Sequence, residues 1–449
     1  MPEDAVMRRQ LIASALCAII SYLGSLLTVG AVERINGNDP ASQTQDAAPV
    51  GPGPLRLAKL FHQRMQIDFR QLSMVSPDGR AIMYLQGGSH FAVERKLLHV
   101  ARLDTQDGWS SYALNMGALW QFGGANNSIP AYGWASDSSG IWTATREEIG
   151  PGGISGSGLQ PLFISLEDGS IRLFDPPRHE AGPLDGLLWA GGDGLALAYF
   201  GARGPSYQPQ RHDRHPTFAM IDAKRAAVLD TLPFDVFKGL KDAYYIANVN
   251  NAAVTRLQNG KLRALLSALD QWVVWTQGEP PHILASPYPD RGERHNKMVI
   301  SRDGSRLLVA RLRCDAGTVD VETGPPFRRR PLSPACKPVE SVVAALYDLD
   351  TGHQLWDVRA TVNRPGFYPN PAISEDGRYA LVGLPYEGTD APAAIALVSM
   401  SDGKVVQRIR PPGSGPVDAI GFLGGDRGIW IHDYIEGSTA LYAFDSRAQ

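Results

Sequence analysis

The chain has 449 residues, a formal net charge of -3 and 43% hydrophobic residues. This composition excludes a disordered chain, which would contain fewer apolar residues, and the nearly balanced charge gives no global field that would recruit nucleic acid. The 47 glycines and 33 prolines indicate many turns between short strands.

The N-terminal segment differs from the rest of the chain. Arg8 and Arg9 precede an uncharged apolar run from Leu11 to Ala31. A positive region followed by an apolar region is typical of an export signal. The run is also long enough to cross a bilayer, which takes roughly 20 residues. We therefore predict that residues 1–31 are a cleaved signal peptide or a retained membrane-anchor helix.

This prediction places the mature protein in the periplasm or another extracytoplasmic compartment, soluble or tethered to the inner membrane. Residues 32–54 are polar and contain many Ala, Pro and Gly residues, a composition typical of a flexible linker. The folded domain is predicted to span residues 55–449.

A first type of hairpin recurs along this domain: an apolar strand ends in an Asp/Gly turn, and a second apolar strand follows. Tight reversals between twisted strands need positive φ angles, which Asp-Gly and Asn-Gly supply at low cost. The copies are Met74–Arg80, Trp134–Gly140, Leu188–Gly194, Val299–Gly304, Ile373–Arg378 and Phe422–Gly428, with a weaker copy at Gly239–Asp242.

A second type of hairpin follows each copy of the first. Its copies are His99–Gly108, Leu162–Gly169, Phe218–Lys224, Ala345–Gly352, Ile395–Lys404 and Leu441–Asp445, with a weaker copy at Val254–Lys261. Paired, the two types define about seven units, on the order of 50 to 60 residues each, with four strands per unit. The sequence therefore predicts an all-β fold, a single β-propeller of about seven four-stranded blades.

The last unit lacks its fourth strand, and the segment Leu55–Phe69, before the first hairpin, is available to supply it. We expect this segment to pair into the last blade and close the ring. A set of stacked β-sandwiches is the competing architecture, but it does not explain the alternation of two hairpin types. The stretch Leu257–Asp270 has a short helical pattern, which makes its unit the hardest to assign.

The copies VSPDGRAIMYL, ISRDGSRLLVARL, ISEDGRYALVGL and LYDLDTGHQLWDV resemble the WD-repeat-like, TolB-type propellers of bacterial envelopes. The stretch Asp348–Trp356 is also similar to YncE-like and quinoprotein-like propellers. This resemblance covers roughly residues 55–449 and implies the propeller fold. The superfamily includes scaffolds, lactone-cleaving enzymes, redox enzymes and propellers that precede serine-peptidase domains. The matching motifs are blade-forming turns, so the resemblance transfers no catalytic residue.

Two basic clusters are the candidate binding residues. In Arg211-His212-Asp213-Arg214-His215, the histidines and Asp213 suit a metal, but two arginines would repel the cation. A solvated basic loop and a loop that binds a carboxylate or another anion are the other interpretations, because arginine binds such groups with two parallel hydrogen bonds. We assign Arg211, His212, Arg214 and His215 to binding and predict no metal and no cofactor.

Arg328, Arg329 and Arg330 form the second cluster, again either solvated or anion-binding. Both clusters fall in connections between second and third strands, which emerge on one face of a propeller. These connections are long and the opposite hairpins are tight, so we predict that the long-loop face is the binding face. The expected connections are Gln86–Lys96, Arg146–Leu159, Ala202–Pro216, Cys314–Pro338 and Pro385–Pro392.

The leading functional hypothesis is an exported, non-catalytic binding or scaffold propeller whose partner is an envelope protein or a small anionic ligand, with no role in nucleic-acid binding. The alternative is a propeller-type hydrolase, such as a lactonase, with its site at the mouth of the central channel. A quinone- or haem-dependent redox protein is the third hypothesis, although the sequence has no haem-attachment motif. Two or more Asp, Glu or His side chains meeting at the channel mouth would favour the enzyme.

Cys314 and Cys336 flank the loop that contains the three consecutive arginines. In an oxidising compartment such a pair can form a disulfide at the base of the loop, worth about 3 kcal/mol in the chain-entropy model. The alternative is two unpaired thiols.

We expect thiol labelling of the native exported protein to leave both cysteines unmodified until a reductant is added, because a disulfide has no free thiol. Efficient labelling without reductant would contradict the disulfide.

Overall fold

The computed structural model describes residues 53–62, 73–86, 96–102, 109–114, 133–146, 159–200, 217–233, 236, 251–268, 271–287, 297–310, 318–319, 335–336, 339–362, 370–384, 394–411, 417–433 and 438–445. Within these residues, no helix combines the length and apolar character needed to cross a bilayer. The predicted signal or anchor (1–31) lies outside them, as does all of the predicted linker (32–54) except its last two residues.

Strand β1 (Leu55–His62) precedes a series of four-stranded antiparallel sheets, which we number as blades. Blade 1 contains β2 (Ser73–Val75), β3 (Ala81–Gln86), β4 (Lys96–Arg102) and β5 (Trp109–Leu114). Blade 2 contains β6 (Gly133–Trp134), β7 (Gly140–Arg146), β8 (Leu159–Ser165) and β9 (Ile171–Leu173). Blade 3 contains β10 (Leu184–Trp189), β11 (Leu195–Phe200), β12 (Thr217–Asp222) and β13 (Ala227–Pro233).

Blade 4 contains β14 (Asn251–Arg256), β15 (Leu262–Ala268), β16 (Gln271–Thr276) and β17 (His282–Ala285). Blade 5 contains β18 (Lys297–Ile300), β19 (Arg306–Ala310), β22 (Val339–Asp348) and β23 (Gln354–Val362), with a short hairpin, β20 (Thr318–Val319) and β21 (Ala335–Cys336), inserted before β22. Blade 6 contains β24 (Ala372–Ile373), β25 (Tyr379–Leu384), β26 (Ala394–Ser399) and β27 (Val405–Ile409).

Both ends of the domain contribute to the last sheet. Blade 7 has the strand order β1-β30-β29-β28, where β28 is Val417–Phe422, β29 is Gly428–Asp433 and β30 is Ser438–Phe444. Leu55 pairs with Phe444 and His62 with Ser438. The predicted pairing of the segment Leu55–Phe69 into the last blade is therefore confirmed for β1. Besides the two-stranded β20–β21 sheet, the described residues form six four-stranded sheets in chain order and a seventh from both ends of the domain.

The sheets close into a ring because each is apolar on both faces. Seven clusters of buried apolar side chains lie between consecutive blades, and the last joins blade 7 to blade 1 through Trp430, Leu441, Val75, Ile82 and Ala101. Burial of each Leu, Ile or Val side chain contributes about 1.5–3 kcal/mol. A single sheet cannot cover both of its faces, whereas a closed ring covers every one.

The tight turns follow a shared hydrogen-bonding scheme. In the turn after β2, the Ser76 hydroxyl donates to Asp78 Oδ1 at 2.6 Å, and that oxygen accepts the Arg80 N–H at 3.0 Å. The Ala81 N–H donates to Ser76 Oγ at 2.9 Å. Gly79 has φ 72°, which only glycine adopts without strain. The same Ser and Asp pairing recurs at Ser301 with Asp303 and at Ser374 with Asp376.

Blade 4 departs from the sequence prediction. We expected its first hairpin at Gly239–Asp242 and its second at Val254–Lys261, but the turn after Arg256 joins β14 to β15 and is therefore the first hairpin. The second turn lies at Gln277–Glu279, and Gly239–Asp242 lies outside the described residues. The helical interpretation of Leu257–Asp270 was wrong, because this stretch contains strand β15. In that strand Leu262, Ala264, Leu265 and Leu266 are all fully buried. Burial on both faces removes the alternation that identifies a strand.

Trp134 and Trp189 pack between blades, as the sequence indicated. Trp134 is 5% exposed and lies in the cluster between blades 1 and 2. Trp189 is 7% exposed and lies in the cluster between blades 2 and 3, where its ring centroid is 5.4 Å from that of Trp142. Both residues therefore pack between neighbouring sheets and support the ring.

Gln407, on β27, joins blade 6 to the closing strand. Its buried side-chain amide accepts the Leu55 N–H at 2.8 Å and donates to the Leu55 carbonyl at 3.2 Å. The side chain thus pairs with β1 as a backbone peptide group would.

We expect Gln407→Ala to lower the free energy of unfolding by about 2–4 kcal/mol, because it leaves a buried donor and a buried acceptor of Leu55 without partners. The measurement is urea unfolding followed by tryptophan fluorescence. Val405→Ala, on an exposed position of the same strand, is the matched control and should stay within about 0.5 kcal/mol of wild type. Equal stability of the two variants would show that the amide does not hold β1.

Candidate functional site

The ring presents two faces of different character. The turns between first and second strands, and between third and fourth strands, lie on one face, which we call the tight-turn face. The opposite face receives the connections from second to third strands, and we call it the long-loop face. β3 ends at Gln86 and β4 begins at Lys96, while β7 ends at Arg146 and β8 begins at Leu159. The predicted strand ends are confirmed here, and the connections of blades 3, 5 and 6 also fall where expected.

The predicted binding residues lie in two of these connections. Arg211, His212, Arg214 and His215 belong to the segment between β11 and β12, and Arg328, Arg329 and Arg330 to the segment between β20 and β21, within the connection from β19 to β22. All seven lie outside the described residues. The chain order therefore attaches both clusters to strand ends of the long-loop face, and their role stays a prediction.

The structure describes one of the two cysteines of the predicted disulfide. Cys336 pairs through its backbone with Thr318 in the short β20–β21 hairpin. Cys314 lies outside the described residues. The disulfide therefore stays a prediction.

The tight-turn face is held together by polar contacts across every blade junction. Asp426 makes two of them, since its carboxylate accepts the backbone N–H groups of Glu375 and Asp376, each at 2.8 Å. Burial raises the pKa of Asp426, while these two hydrogen bonds favour its charged form. The contacts at the other junctions are Asp78 with Ser138, Trp142 with Gly192, Arg256 with Asp193, Arg263 with Asp350, Arg302 with Glu375, and Gly424 with Pro77.

A groove of ≈ 360 Å³ opens on this face between blades 3 and 4. Its apolar lining consists of Leu195 and Leu229. Its charged lining consists of Asp193, Asp222, Lys224, Arg225 and Arg256. The sequence indicates only turns at Asp193, Asp222 and Lys224. The signal that could have found the groove is the presence of charged residues at the turn tips of two consecutive blades.

Carboxylates in the groove already neutralise two of its three cations. Arg256 forms an ion pair with Asp193, with both side chains nearly half exposed. Arg225 Nη1 lies 3.6 Å from Asp222 Oδ2, and its guanidinium end is largely in solvent. Exposed pairs of this kind contribute about 0–1 kcal/mol. The groove therefore offers a polar surface of mixed charge with a small positive excess.

Lys224 supplies this positive excess, and its position depends on the aromatic cluster beneath it. Lys224 Nζ lies 5.6 Å from the centroid of the Trp142 ring, a distance at which a cation is attracted to the ring face. Trp142 is 2% exposed, and its Nε1–H donates to the Gly192 carbonyl at 3.1 Å. The same tryptophan thus links blade 2 to blade 3 and supports one wall of the groove.

Within the described residues, no group of three or more His, Cys, Asp or Glu side chains is arranged to bind a metal. Carboxylates of the tight-turn face instead accept hydrogen bonds from their own turns. Asp348, for example, accepts the N–H groups of Asp350 and Thr351 at 3.1 and 3.0 Å. The described geometry therefore assigns these acidic side chains to the construction of turns.

No protein-family model matches the sequence, and no curated protein matches it. Among solved structures, the chain is similar to the β-propeller domain of Cps50 (Swd1) from Myceliophteria thermophila, at 10% identity over 87% of this chain and 99% of that chain, with a TM-score of 0.42. It is also similar to U3-55K, at 11% identity over 88% of this chain and 100% of that chain, with a TM-score of 0.47. The propeller assignment depends on the sheets and clusters described above.

Substitution of two adjacent glycines, Gly191 and Gly192, tests how closely the backbones of blades 2 and 3 approach each other beside the groove. A Cβ on Gly192 would lie 1.8 Å from the backbone nitrogen of Ser136, so Gly192→Ala must push the two blades apart. We expect it to cost about 3 kcal/mol of unfolding free energy. Gly191→Ala is the matched control, because that position has φ 91° and open space around it, and should cost about 1–2 kcal/mol.

The measurement is again urea unfolding. A Gly192→Ala cost that does not exceed the Gly191→Ala cost would contradict the close backbone approach of the two blades.

Proposed function

We propose that this chain is a non-catalytic binding propeller that uses the long-loop face to hold a protein or a small anionic group. One observation carries the proposal: polar contacts join the tight turns at every blade junction, so one face is fixed while the longest connections leave from the other. Binding commonly uses variable loops held by a rigid scaffold. The arginine clusters lie in two of those connections, and arginine suits carboxylate and phosphate groups.

The proposal includes export to the bacterial envelope and membership of the TolB-type propellers. Its support is the arginine pair and apolar run at the N-terminus and the blade motifs quoted above. An envelope protein is the partner that both features favour. The N-terminal apolar segment would supply a membrane tether if it is retained.

Charge reversal on each face separates the two candidate surfaces. One variant changes Arg211, Arg214 and Arg328–Arg330 to Glu, and the matched variant changes Lys224 and Arg225 to Glu in the groove of the tight-turn face. The full-length protein is expressed in a bacterial host, crosslinked in intact cells and recovered. We expect the first variant to lose at least ten-fold of the crosslinked partner, and the second to retain it.

Unfolding by urea must be the same for both variants and wild type, so that lost capture reports binding and not stability. Capture that survives in the first variant would contradict the role of the arginine clusters. Loss in the groove variant alone would move the binding site to the tight-turn face. A carboxylate-rich peptide serves as the soluble competitor, and its failure to reduce crosslinking would contradict the anionic chemistry.

A further inference from the structure

The junction between blade 7 and blade 1 contains two buried histidines. On the side nearer the tight turns this junction is apolar, with Trp430 and Leu441 of blade 7 against Ile82 and Ala101 of blade 1. His99, on β4, is 2% exposed, and His432, on β29, is fully buried. They are the buried histidines among the residues whose side chains the structure describes.

Strand alternation places both imidazoles in the same interface. His99 lies two residues before Ala101, and His432 two residues after Trp430, in strands whose pairing has no register shift between these positions. Residues two apart on a strand share a face. Thr439 lies two residues before Leu441 and thus shares this interface, and its Oγ1 is 3.0 Å from His432 Nδ1. The apolar junction therefore continues as a polar one towards the long-loop face.

The cross-strand partners of the two histidines lie on β3, β5, β28 and β30. His99 pairs across the sheet with Tyr84 on β3 and Ser111 on β5. His432 pairs with Ala419 on β28 and Thr439 on β30. Lys59, on β1, pairs with Leu441 and is exposed.

Two further charged residues flank the histidines along their strands. Arg102 follows Ala101 on β4, and Asp433 follows His432 on β29. Arg102 lies three residues after His99, and Asp433 one residue after His432. Because side chains alternate along a strand, an odd separation places each charged residue on the opposite face of its sheet from the histidine.

Burial favours the neutral form of both imidazoles. It lowers the pKa of His99 to about 4 and that of His432 to about 4, and a hydrogen bond with the backbone of Ser438 opposes part of the second shift. In an unfolded or opened chain a histidine has a pKa near ~6.5. The opened state therefore binds protons first as the pH falls, and the closed state loses stability between about pH 6.5 and about pH 4.

We propose that the junction between blades 7 and 1 is an acid-sensitive seam, at which protonation of His99 and His432 opens the ring. The seam lies beside the blade that both ends of the domain build: β1 precedes β2 of blade 1 along the chain, whereas the hydrogen bonds between β1 and β30 join it to β28–β30. Opening there exposes the long-loop end of the junction and leaves the other six junctions closed. The proposal is independent of the ligand proposed for the long-loop face.

Hydrogen–deuterium exchange of the wild-type protein at pH 7 and pH 5 tests the location without any variant. After correction for the intrinsic pH dependence of exchange, amides of β4 and β29 should lose protection by up to ~10-fold per histidine per pH unit. Amides of β15 and β16 in blade 4 should keep theirs. Equal loss in all blades, or no loss, would overturn the seam.

Non-titrating variants test the cause. His99→Gln, His432→Gln and the double variant are compared with His282→Gln, which changes an exposed histidine on β17. Each single variant should weaken the pH dependence of protection in β4 and β29, the double variant should remove most of it, and the control should match wild type. An unchanged pH profile in the double variant would overturn the role of the imidazoles. If that variant does not fold, the two single variants and the wild-type exchange pattern decide.

Discussion

The structure depends on one constraint: each sheet has apolar side chains on both faces, and four strands cannot cover them. The cluster between blades 4 and 5 shows the arrangement, with Leu265, Trp272 and Val274 of one sheet against Leu307 and Val309 of the next. A linear stack of such sheets would leave the outer face of its first and last members in water. A ring has no first or last member, and the pairing of β1 with β30 is what closes it. Every other feature, including the two distinct faces, follows from that closure.

Closure of the ring also buries backbone N–H groups near the tight turns, and polar side chains there must accept their hydrogen bonds. Near the tight turns, serine hydroxyls and aspartate carboxylates satisfy backbone N–H groups that would otherwise be buried without partners. Ser301 and Ser374 are 4% and 2% exposed, and each holds the aspartate two residues later. Side chains committed in this way cannot also serve a ligand. Among the described residues, the tight-turn face is therefore mainly a structural framework, and it includes the groove between blades 3 and 4.

The sequence predicted the fold well where a local signal existed. A turn such as Ser374-Glu375-Asp376-Gly377 predicts a hairpin from four residues alone. This is possible because the turn needs only a residue with positive φ and a carboxylate that accepts nearby backbone N–H groups. Blade 4 was misassigned because β15 is buried on both faces, and its leucines carry no period of two. The groove could not have been predicted from one hairpin, since Lys224 and Arg256 belong to different blades. Proximity across a junction depends on the closed ring, which no single segment encodes.

The contact between Gln407 and Leu55 spans 352 positions of the chain, and this separation governs the order in which the molecule can form. Of the described strands, β1 is the first to leave the ribosome, and its partner β30 is the last. Until then β1 has apolar residues and an unsatisfied backbone edge, the features that invite wrong pairing with other chains. Contacts of such long range also slow folding, because a large loop entropy must be lost before they form. Biosynthesis of this protein thus includes an interval in which blades 1 to 6 can assemble while the ring stays open.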